Sequence, residues 1–270
     1  MRKYVSIIIP VYQTPHYFVE TAIRSALFQT GNIETEVILV DDASTNSWWE
    51  NIDQSLLEDD RVTLHLLPKN CGAGYAWDYG IKKAKYDWIT PLAADDYIHP
   101  DKSEIQFAIM NEAKKQASLS GFRTYTYKDN RIIKINNHTP PTYKDNKKQF
   151  EALRRNDYET CFIKSSTTLF KKELYEKLGG FDYNLRYAQG HDLWLRMANE
   201  TLIIDVPLQL LTRREYDNQI ANLFQNDKEK NYERIRTIEY AKIKLKWEKL
   251  LTPITNRKVN MDILKEEGYL

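Results

Sequence analysis

The sequence predicts an α/β fold in which a mostly parallel, Rossmann-like sheet is flanked by helices. Short apolar runs alternate with segments of helical spacing through the first third of the chain. This alternation is typical of a parallel sheet with helices on both of its faces. The chain has 270 residues, of which 42% are hydrophobic, so it is long enough to bury a substantial core.

The first strand and helix carry the clearest signals. Val5–Pro10 is a continuous apolar run of the kind found in strands that are buried on both faces. Thr14 and Pro15 then offer an N-cap and a first helical position, and the helix that follows is expected to end near Gly31. The same periodicities predict, in order, a strand at Glu36–Val40, a helix at Ser47–Leu57, a strand at Arg61–Leu67, a helix at Ala73–Lys85 and a strand at Asp87–Leu92.

The second half of the chain is less regular. Its predicted elements are a helix at Asp101–Lys115, a β-hairpin of Ala117–Tyr127 and Arg131–Ile135, a polar loop at Asn136–Lys148, a short helix at Lys171–Leu178, a helix at Gly190–Asn199 and an apolar strand at Leu202–Leu211. From about Asp217 to Leu250 the pattern predicts a long charged helix, and hence a C-terminal helical extension over residues 216–270.

Composition excludes several classes of protein. The 39 basic residues are balanced by 38 acidic ones, which disfavours a nucleic-acid binder. The two cysteines, Cys71 and Cys161, have no zinc or disulfide-scaffold spacing. No segment reaches the roughly 18 apolar residues that span a bilayer. We therefore expect a cytoplasmic protein, with the inner face of the membrane as a further place where it could work.

Two pairs of acidic residues follow predicted strands. Asp41 and Asp42 come directly after the second strand, and Asp95 and Asp96 come after the fourth. Ligands of parallel sheets bind beyond the carboxyl ends of the strands, so both pairs are expected to face one crevice. Carboxylates at such a place suit Mg²⁺ or Mn²⁺ bridging to a pyrophosphate. The alternative is that these residues only cap turns and helices.

Two further motifs precede helices. Asp192 lies at a predicted helix N-terminus, where a carboxylate is stabilised as the anion and can serve as a general base, although simple capping would also explain it. The glycine-rich turn at Asn70–Gly74 could cradle a phosphate. However, Trp77 stands where a dinucleotide-binding GxGxxG motif needs glycine, which disfavours a nicotinamide enzyme.

The order and spacing of these motifs resemble family 2 inverting glycosyltransferases of the GT-A fold. The matching segments are Ser6–Tyr12, Ser25–Thr30, Val40–Thr45, Asn70–Gly72, Gly80-Ile81, Asp95-Asp96 with Pro100, Gly179–Asp182 and His191–Arg196. The resemblance covers about residues 4–215. It implies a GT-A domain over residues 1–215, with a nucleotide-sugar half at 1–100 and an acceptor half at 101–215.

The resemblance also implies roles for individual residues. Pro10 and Tyr12 would line the nucleotide pocket, Asp42 would contact the base or ribose, Asp95 would lie near the ribose, Asp96 would bind the metal, Asp192 would be the catalytic base, and Arg213 would contact the phosphate or donor. The implied cofactor is Mn²⁺ or Mg²⁺. The implied partners are a nucleotide-sugar donor, with a UDP-sugar favoured, and a saccharide or lipid-linked acceptor.

The implied function is metal-dependent, inverting transfer of a sugar to an acceptor hydroxyl, in surface polysaccharide or glycolipid synthesis. One departure from the family pattern concerns the base alone, since His191 replaces the glutamate that usually precedes it. Three others bear on the function: Ala93 replaces the first acid of the family's LDADD motif, Trp77 replaces the arginine of the family's Ala-Arg-Asn segment, and Glu215 replaces a late histidine. These departures keep a catalytically silent nucleotide-sugar-binding protein as the alternative. A sugar-nucleotide pyrophosphorylase is disfavoured, because Pro10–Pro15 lacks the glycine-rich loop of that class.

The sequence says less about which residues would bind the acceptor and about the role of the C-terminal helix. Tyr125, Tyr127, Tyr143 and Arg154-Arg155 are candidates to face the acceptor, because aromatic rings stack on sugars. The mixed charges of the predicted C-terminal helix favour packing on its own domain. A peripheral membrane contact and a homodimer contact are the open alternatives for this helix.

Overall fold

The computed structural model describes residues 2–129, 131–155, 162–185, 187–216, 238–240 and 242–243. The strands are β1 (Lys3–Val11), β2 (Ile33–Asp41), β3 (Val62–Leu66), β4 (Trp88–Pro91), β5 (Tyr97–Ile98), β6 (Ala117–Lys128), β7 (Arg131–His138), β8 (Thr168–Lys171) and β9 (Ile204–Glu215). The helices are α1 (His16–Leu27), α2 (Ala73–Lys83), α3 (Lys102–Ala113), α4 (Asn146–Arg155), α5 (Lys172–Lys177) and α6 (Gln189–Glu200).

The nine strands of the described residues belong to a single sheet, in the order β3-β2-β1-β4-β8-β6-β9-β5, with β7 paired to β6. The pairs β1–β2, β2–β3 and β1–β4 are parallel, and so is the long pair β6–β9. Strand β8 runs antiparallel between β4 and β6 and joins the two halves of the sheet. The predicted α/β fold with a mostly parallel sheet flanked by helices is therefore confirmed.

Strand β1 lies at the centre of the core and is buried on both faces. Ile7 and Ile9 face one hydrophobic cluster with α1, whereas Ile8 faces the cluster that contains α2. Helix α2 packs closely on the sheet at Gly80, where an added Cβ atom would clash with Cγ2 of Ile8. The period-2 alternation of strand side chains thus supplies both layers of helices with an apolar surface.

Several elements differ from the sequence prediction. Ser47–Leu57 is not one helix but two short 3₁₀ turns, at Trp48–Glu50 and Gln54–Leu56. The first turn is held by the Trp48 indole, which donates to Asp41 at 2.8 Å, and the second by Asp53, whose side chain accepts from the Ser55 amide. Local side-chain bonds of this kind compete with helix formation.

Differences in the second half arise where the predicted loop begins. Strand β7 continues through His138, and α4 begins at Asn146 inside the stretch predicted as loop. Helix α4 forms because Gln149, Phe150 and Leu153 share one buried face. In the first half, α1 begins at His16 without a side-chain cap, so the predicted N-cap Thr14 does not cap it.

Most of the predicted C-terminal helix lies outside the described residues. Residues 238–240 and 242–243 are helical, and Ile238, Tyr240 and Ile243 are buried. Tyr240 and Ile243 belong to the same core cluster as α6. Among the residues that the structure describes, no helix is long and apolar enough to cross a membrane.

Candidate functional site

The predicted nucleotide-site residues gather at the carboxyl edge of the parallel strands. Pro10 and Tyr12 lie at the end of β1, which pairs with β2 on one side and β4 on the other. The Asp42 amide donates to the Val11 carbonyl at 2.8 Å, so the chain after β2 stays beside the chain after β1. Of the two acidic pairs, Asp95 and Asp96 line the cavity described below and Asp41 and Asp42 do not, so the expectation that both pairs face one crevice stays a prediction.

The two acids after β2 have different partners. The carboxylate of Asp41 accepts from the Ser44 amide and the Trp48 indole, both at 2.8 Å, and this bonding fixes the turn that follows. The carboxylate of Asp42 accepts from the amides of Cys71 and Gly72 at 2.7 and 2.8 Å. Asp42 therefore ties the glycine-rich turn before α2 to the strand edge.

Asp95 and Asp96 line a cavity of about 290 Å³ beyond β4. Asp96 is only 5% exposed, and its Oδ1 accepts from the Arg214 amide at 3.1 Å. Burial raises the pKa of Asp96 well above its ordinary value, the charge of Asp95 raises it further, and Arg213 and Arg214 lower it. The cavity thus holds two neighbouring carboxyl groups whose charges repel.

The rest of this cavity comes from segments far apart in sequence. Helix α6 contributes Gln189, Gly190, His191 and Trp194, and the other lining residues are Trp77, Ala93, Ile163, Lys164, Ser165, Ser166, Tyr187, Arg213 and Tyr240. The Ala93 amide donates to Ser166 Oγ at 3.0 Å, which joins the loop of the acidic pair to the segment before β8. Arg213, predicted as a donor contact, reaches the same cavity from β9.

Asp192, the predicted catalytic base, lies next to this cavity but is not among the described residues that line it. Its side chain is 1% exposed and accepts from Arg196 Nε at 2.8 Å, with Arg196 Nη2 at 2.6 Å from the same oxygen. This i,i+4 pair turns the carboxylate along α6. His191 is the titratable side chain of the first turn of α6 that faces the cavity. The role of Asp192 as the base stays a prediction.

A second cavity, of about 490 Å³, adjoins the first, and Lys164 and Arg213 line both. It is bounded by the β6–β7 hairpin, by β9 and by the segment before β8. Phe122 and His138 line it as a stacked pair, with ring centroids 4.3 Å apart. The residues predicted to face an acceptor, Tyr125, Tyr127, Tyr143 and Arg154-Arg155, do not line either cavity within the described chain.

Lys164 and His138 were not predicted as site residues, because neither belongs to a sequence motif.

The described residues do not form a complete metal site by themselves. They contain no group of three or more His, Cys, Asp or Glu side chains placed to hold an ion. Asp95 and Asp96 nevertheless suit Mg²⁺ or Mn²⁺, which bind through one or two carboxylates together with phosphates of the substrate.

The sequence of this chain matches a known protein family and several known proteins. The model of the family described as Glycosyl transferase family 2 matches residues 6–179. An uncharacterised glycosyltransferase of Rickettsia prowazekii is 30% identical over 272 residues, which cover 98% of this chain and 81% of that protein. Glycosyltransferase GlyG of Streptococcus pneumoniae is 27% identical over 233 residues, or 79% of this chain and 72% of its own.

Two solved structures share the architecture. TarS 1-349 of S. aureus in complex with UDP-GlcNAc has a TM-score of 0.65 at 16% identity, covering 98% of this chain and 80% of that one. The mannosyltransferase PcManGT from Pyrobaculum calidifontis, in complex with GDP-Man and Mn²⁺, has a TM-score of 0.58 at 17% identity, covering 100% of this chain and 70% of that one. At such identities the likeness is one of fold.

Proposed function

Since the chain belongs to glycosyl transferase family 2 and is a glycosyltransferase of the GT-A fold, we propose that it performs metal-dependent, inverting transfer from a nucleoside diphosphate sugar to an acceptor hydroxyl. The observation that carries the proposal is the acidic pair Asp95-Asp96 in a cavity at the carboxyl edge of the parallel strands. A saccharide or lipid-linked acceptor would assign the reaction to surface polysaccharide or glycolipid synthesis.

Asp96, with Asp95 beside it, would hold the divalent cation. A bound divalent cation would relieve the mutual repulsion of these two carboxyl groups. When bound, Mn²⁺ or Mg²⁺ supplies a Lewis acid that stabilises the charge on the departing nucleoside diphosphate. PcManGT, of the same fold, was solved with Mn²⁺ and GDP-Man, which supports the choice of ion.

The donor would lie along the strand ends. Pro10 and Tyr12 would border the base, and Asp42 would place the glycine-rich turn against the nucleoside through its bonds to Cys71 and Gly72. Arg213 would contact the phosphates or the sugar from the opposite wall. TarS was solved with UDP and with UDP-GlcNAc, which supports a UDP-sugar as the donor of this chain.

The proton of the acceptor needs a group inside the cavity. As the acceptor oxygen bonds to the anomeric carbon, the bond from that carbon to the phosphate oxygen breaks, and its electron pair leaves with the nucleoside diphosphate. We propose that His191 takes the proton, because it lines the cavity, whereas the predicted base Asp192 is turned toward Arg196. Asp192 would then hold the first turn of α6 in place.

The first experiment measures thermal unfolding with UDP, GDP and TDP, each with and without Mn²⁺. A ligand that binds only the folded chain stabilises it by about 2.7 kcal/mol at a hundredfold excess over Kd. We expect a Mn²⁺-dependent rise in Tm with UDP that Asp96→Asn abolishes and that the exposed control Asp60→Asn keeps.

Two results would contradict the proposal. An equal rise for Asp96→Asn and wild type would remove the metal role of that residue. A Mn²⁺-dependent rise with UDP, but no release of UDP from any UDP-sugar, would favour the silent nucleotide-sugar-binding protein.

A further inference from the structure

Strand β7 exposes three isoleucine side chains within four consecutive residues. Ile132, Ile133 and Ile135 are 46%, 61% and 56% exposed. Among the described residues, the only other exposed leucine or isoleucine side chains are those of Leu66 and Leu208, which lie outside this strand. A cluster of exposed apolar side chains marks an interaction surface, whereas single exposed ones are ordinary.

The register of the β6–β7 hairpin places the isoleucines beside two half-buried tyrosines. Tyr125 pairs with Ile135, and two residues later Tyr127 pairs with Ile132. Paired residues lie on one face of a sheet, and so do residues two apart, so these four side chains share a face. They do so because Ile133 is an extra residue, a β-bulge. In a regular strand, residues three apart would lie on opposite faces.

The charged residues around the isoleucines are mostly basic. Lys128, Arg131 and Lys134 are exposed, and no salt bridge joins any of them to another described residue. Asp129, at the turn, is the only acidic residue between positions 117 and 138. Because the whole chain has a formal net charge of only +1, this hairpin is more basic than the chain as a whole.

This combination matches the chemistry of an anionic bilayer surface. Apolar side chains enter the boundary between headgroups and acyl chains, and lysine and arginine bind the lipid phosphates. A second copy of this chain matches less well, because pairing of β7 with β7 would bring the like charges of Arg131 and Lys134 from both copies close together. The bulge at Ile133 also interrupts the edge to which a further strand would pair.

We propose that the hairpin patch, made of Ile132, Ile133 and Ile135 with Lys128, Arg131 and Lys134, docks onto a bilayer surface that carries anionic phospholipids. The opposite face of the hairpin lines the second cavity, so docking leaves that cavity open. The patch is separate from the C-terminal helix, for which the sequence left a membrane contact open. The inference goes beyond the proposed function and does not rest on it.

Co-sedimentation of the full chain with lipid vesicles, without nucleotide or metal, tests the proposal. One set of vesicles is phosphatidylcholine alone, and the other also contains phosphatidylglycerol as the anionic lipid. We expect binding to the anionic vesicles at about 0.1 M NaCl, and binding weaker by about fivefold or more at about 0.5 M NaCl or with the neutral vesicles.

A first double variant tests the charges. Arg131→Gln with Lys134→Gln should weaken binding to the anionic vesicles about tenfold or more, because each basic residue near such a surface contributes about fivefold. The control is Lys69→Gln with Lys114→Gln, at exposed lysines outside the hairpin. It removes the same total charge and should change the binding little, since salt screens charges away from the docking surface.

A second double variant tests the apolar side chains. Ile133→Ser with Ile135→Ser should weaken binding about tenfold or more, because two apolar side chains no longer leave water on docking. The control is Leu66→Ser with Leu208→Ser, at exposed leucines outside the hairpin, and it should bind like the wild type. All the substituted side chains are exposed, so we expect each variant to keep the Tm of the wild type.

Hydrogen exchange of the wild-type chain locates the contact without any substitution. Strand β7 pairs only with β6 in the described sheet, so its other edge is open. Anionic vesicles should slow the exchange of amides in residues 131–135. Strand β3, at the opposite end of the sheet, should exchange at the same rate with and without vesicles.

Several results would overturn the proposal. These are no binding of the wild type to anionic vesicles, binding that both hairpin variants leave unchanged, and slowed exchange that omits residues 131–135. A dimer that Ile133→Ser with Ile135→Ser converts to a monomer, with no vesicle binding, would assign the patch to a second copy. The UDP-dependent rise in Tm should be the same in the hairpin variants and the wild type, so a failure of docking is distinguishable from a failure of the proposed function.

Discussion

At the level of single residues, neighbouring side chains on α6 have different surroundings. Asp192 is 1% exposed and Arg196 is 15% exposed, and they form an ion pair within one helix. Breaking a buried pair leaves one charge uncompensated, which costs about 3–5 kcal/mol when burial is complete. His191 lines the cavity instead and packs against Tyr240, with ring centroids 4.7 Å apart and an angle of 33° between the rings. The contribution of the Asp192–Arg196 pair to stability and the proposed proton transfer by His191 can therefore be tested separately by substitution.

We predict opposite outcomes for His191→Gln and Asp192→Asn. His191→Gln should lower the rate of UDP release from a UDP-sugar about 100-fold, the low end of general-base effects, with the UDP-dependent rise in Tm unchanged. Asp192→Asn should lower the free energy of unfolding by about 2–3 kcal/mol and retain more activity. Steady-state kinetics and urea unfolding measure the two effects. Should Asp192→Asn abolish turnover at unchanged stability, with His191→Gln active, Asp192 would be the base.

Lys102 is a buried lysine that belongs to none of the sequence motifs. It is 0% exposed, and its Nζ donates to the Thr168 carbonyl at 3.1 Å. Burial lowers the pKa of this amine to about 7. Between pH 7 and its ordinary value near 10.5, the unfolded chain therefore holds a proton that the folded chain has released. The stability that comes from keeping this amine neutral is complete above that ordinary pKa and is lost as the pH falls toward 7.

The prediction for Lys102 follows from this direction of the change of stability with pH. The free energy of unfolding should rise by about 2 kcal/mol between pH 7 and pH 9 from this residue. Lys102→Met should flatten this rise, and the exposed Lys69→Met should leave it intact. Urea unfolding at the two pH values provides the measurement. An equal rise in wild type and Lys102→Met would show that the amine does not titrate in this window.

At the level of secondary-structure elements, the start of α6 depends on a residue about 50 positions later. Glu239 is buried, and its Oε2 accepts from the amides of Tyr187 and Ala188 at 2.8 and 2.9 Å. Both amides come directly before α6, whose first turn lines the proposed donor cavity. The described C-terminal residues therefore act on the site as well as on the core.

Glu239→Ala should leave these buried amides without their acceptor. We predict a loss of about 1–3 kcal/mol in the free energy of unfolding, the usual cost of unsatisfied buried donors, and a smaller UDP-dependent rise in Tm. Glu239→Gln, which keeps an acceptor oxygen, should lose less. Chemical unfolding against the exposed Glu58→Ala is the comparison. If Glu239→Ala and Glu58→Ala lower the free energy of unfolding by the same small amount, Glu239 does not stabilise the start of α6.

Elements differ in how far the sequence reveals them. The parallel strands were predictable because burial on both faces leaves continuous apolar runs such as Val5–Pro10. Strand β5 has two residues and β8 has four, so neither shows a period, and both exist through pairing with β9 or with β4 and β6. Tertiary pairing of this kind overrides local propensity.

The candidate site also combines features that the sequence predicts with features that it does not. The acidic pair follows a predictable strand, so its place at the sheet edge could be read from the sequence. The direction of Asp192 could not, although Arg196 four residues later was a visible signal for an ion pair. The second cavity joins Phe122, His138 and Lys164, whose approach depends on the complete sheet.

At the level of the whole molecule, the two halves of the described chain share one sheet and one core. Strand β4 pairs with β8 through Trp88 with Lys171 and Ile89 with Phe170. One hydrophobic cluster contains Ile8, Val40 and Ile81 from the first half together with Phe170, Leu174 and Trp194 from the second. The proposed boundary near residue 100 would therefore separate two binding roles within one shared sheet and core.

We therefore predict that the full chain unfolds in one cooperative transition and that residues 1–100 alone do not fold. The fragment would expose the edge of β4 and the apolar faces that β8 and α6 cover. Circular dichroism and proton NMR of the fragment, beside urea unfolding of the full chain followed by two probes, test this. UDP with Mn²⁺ should shift the single transition as a whole, because donor binding is linked to folding of both halves. Two separate transitions, or a fragment with dispersed amide signals, would show that the nucleotide half is an independent domain.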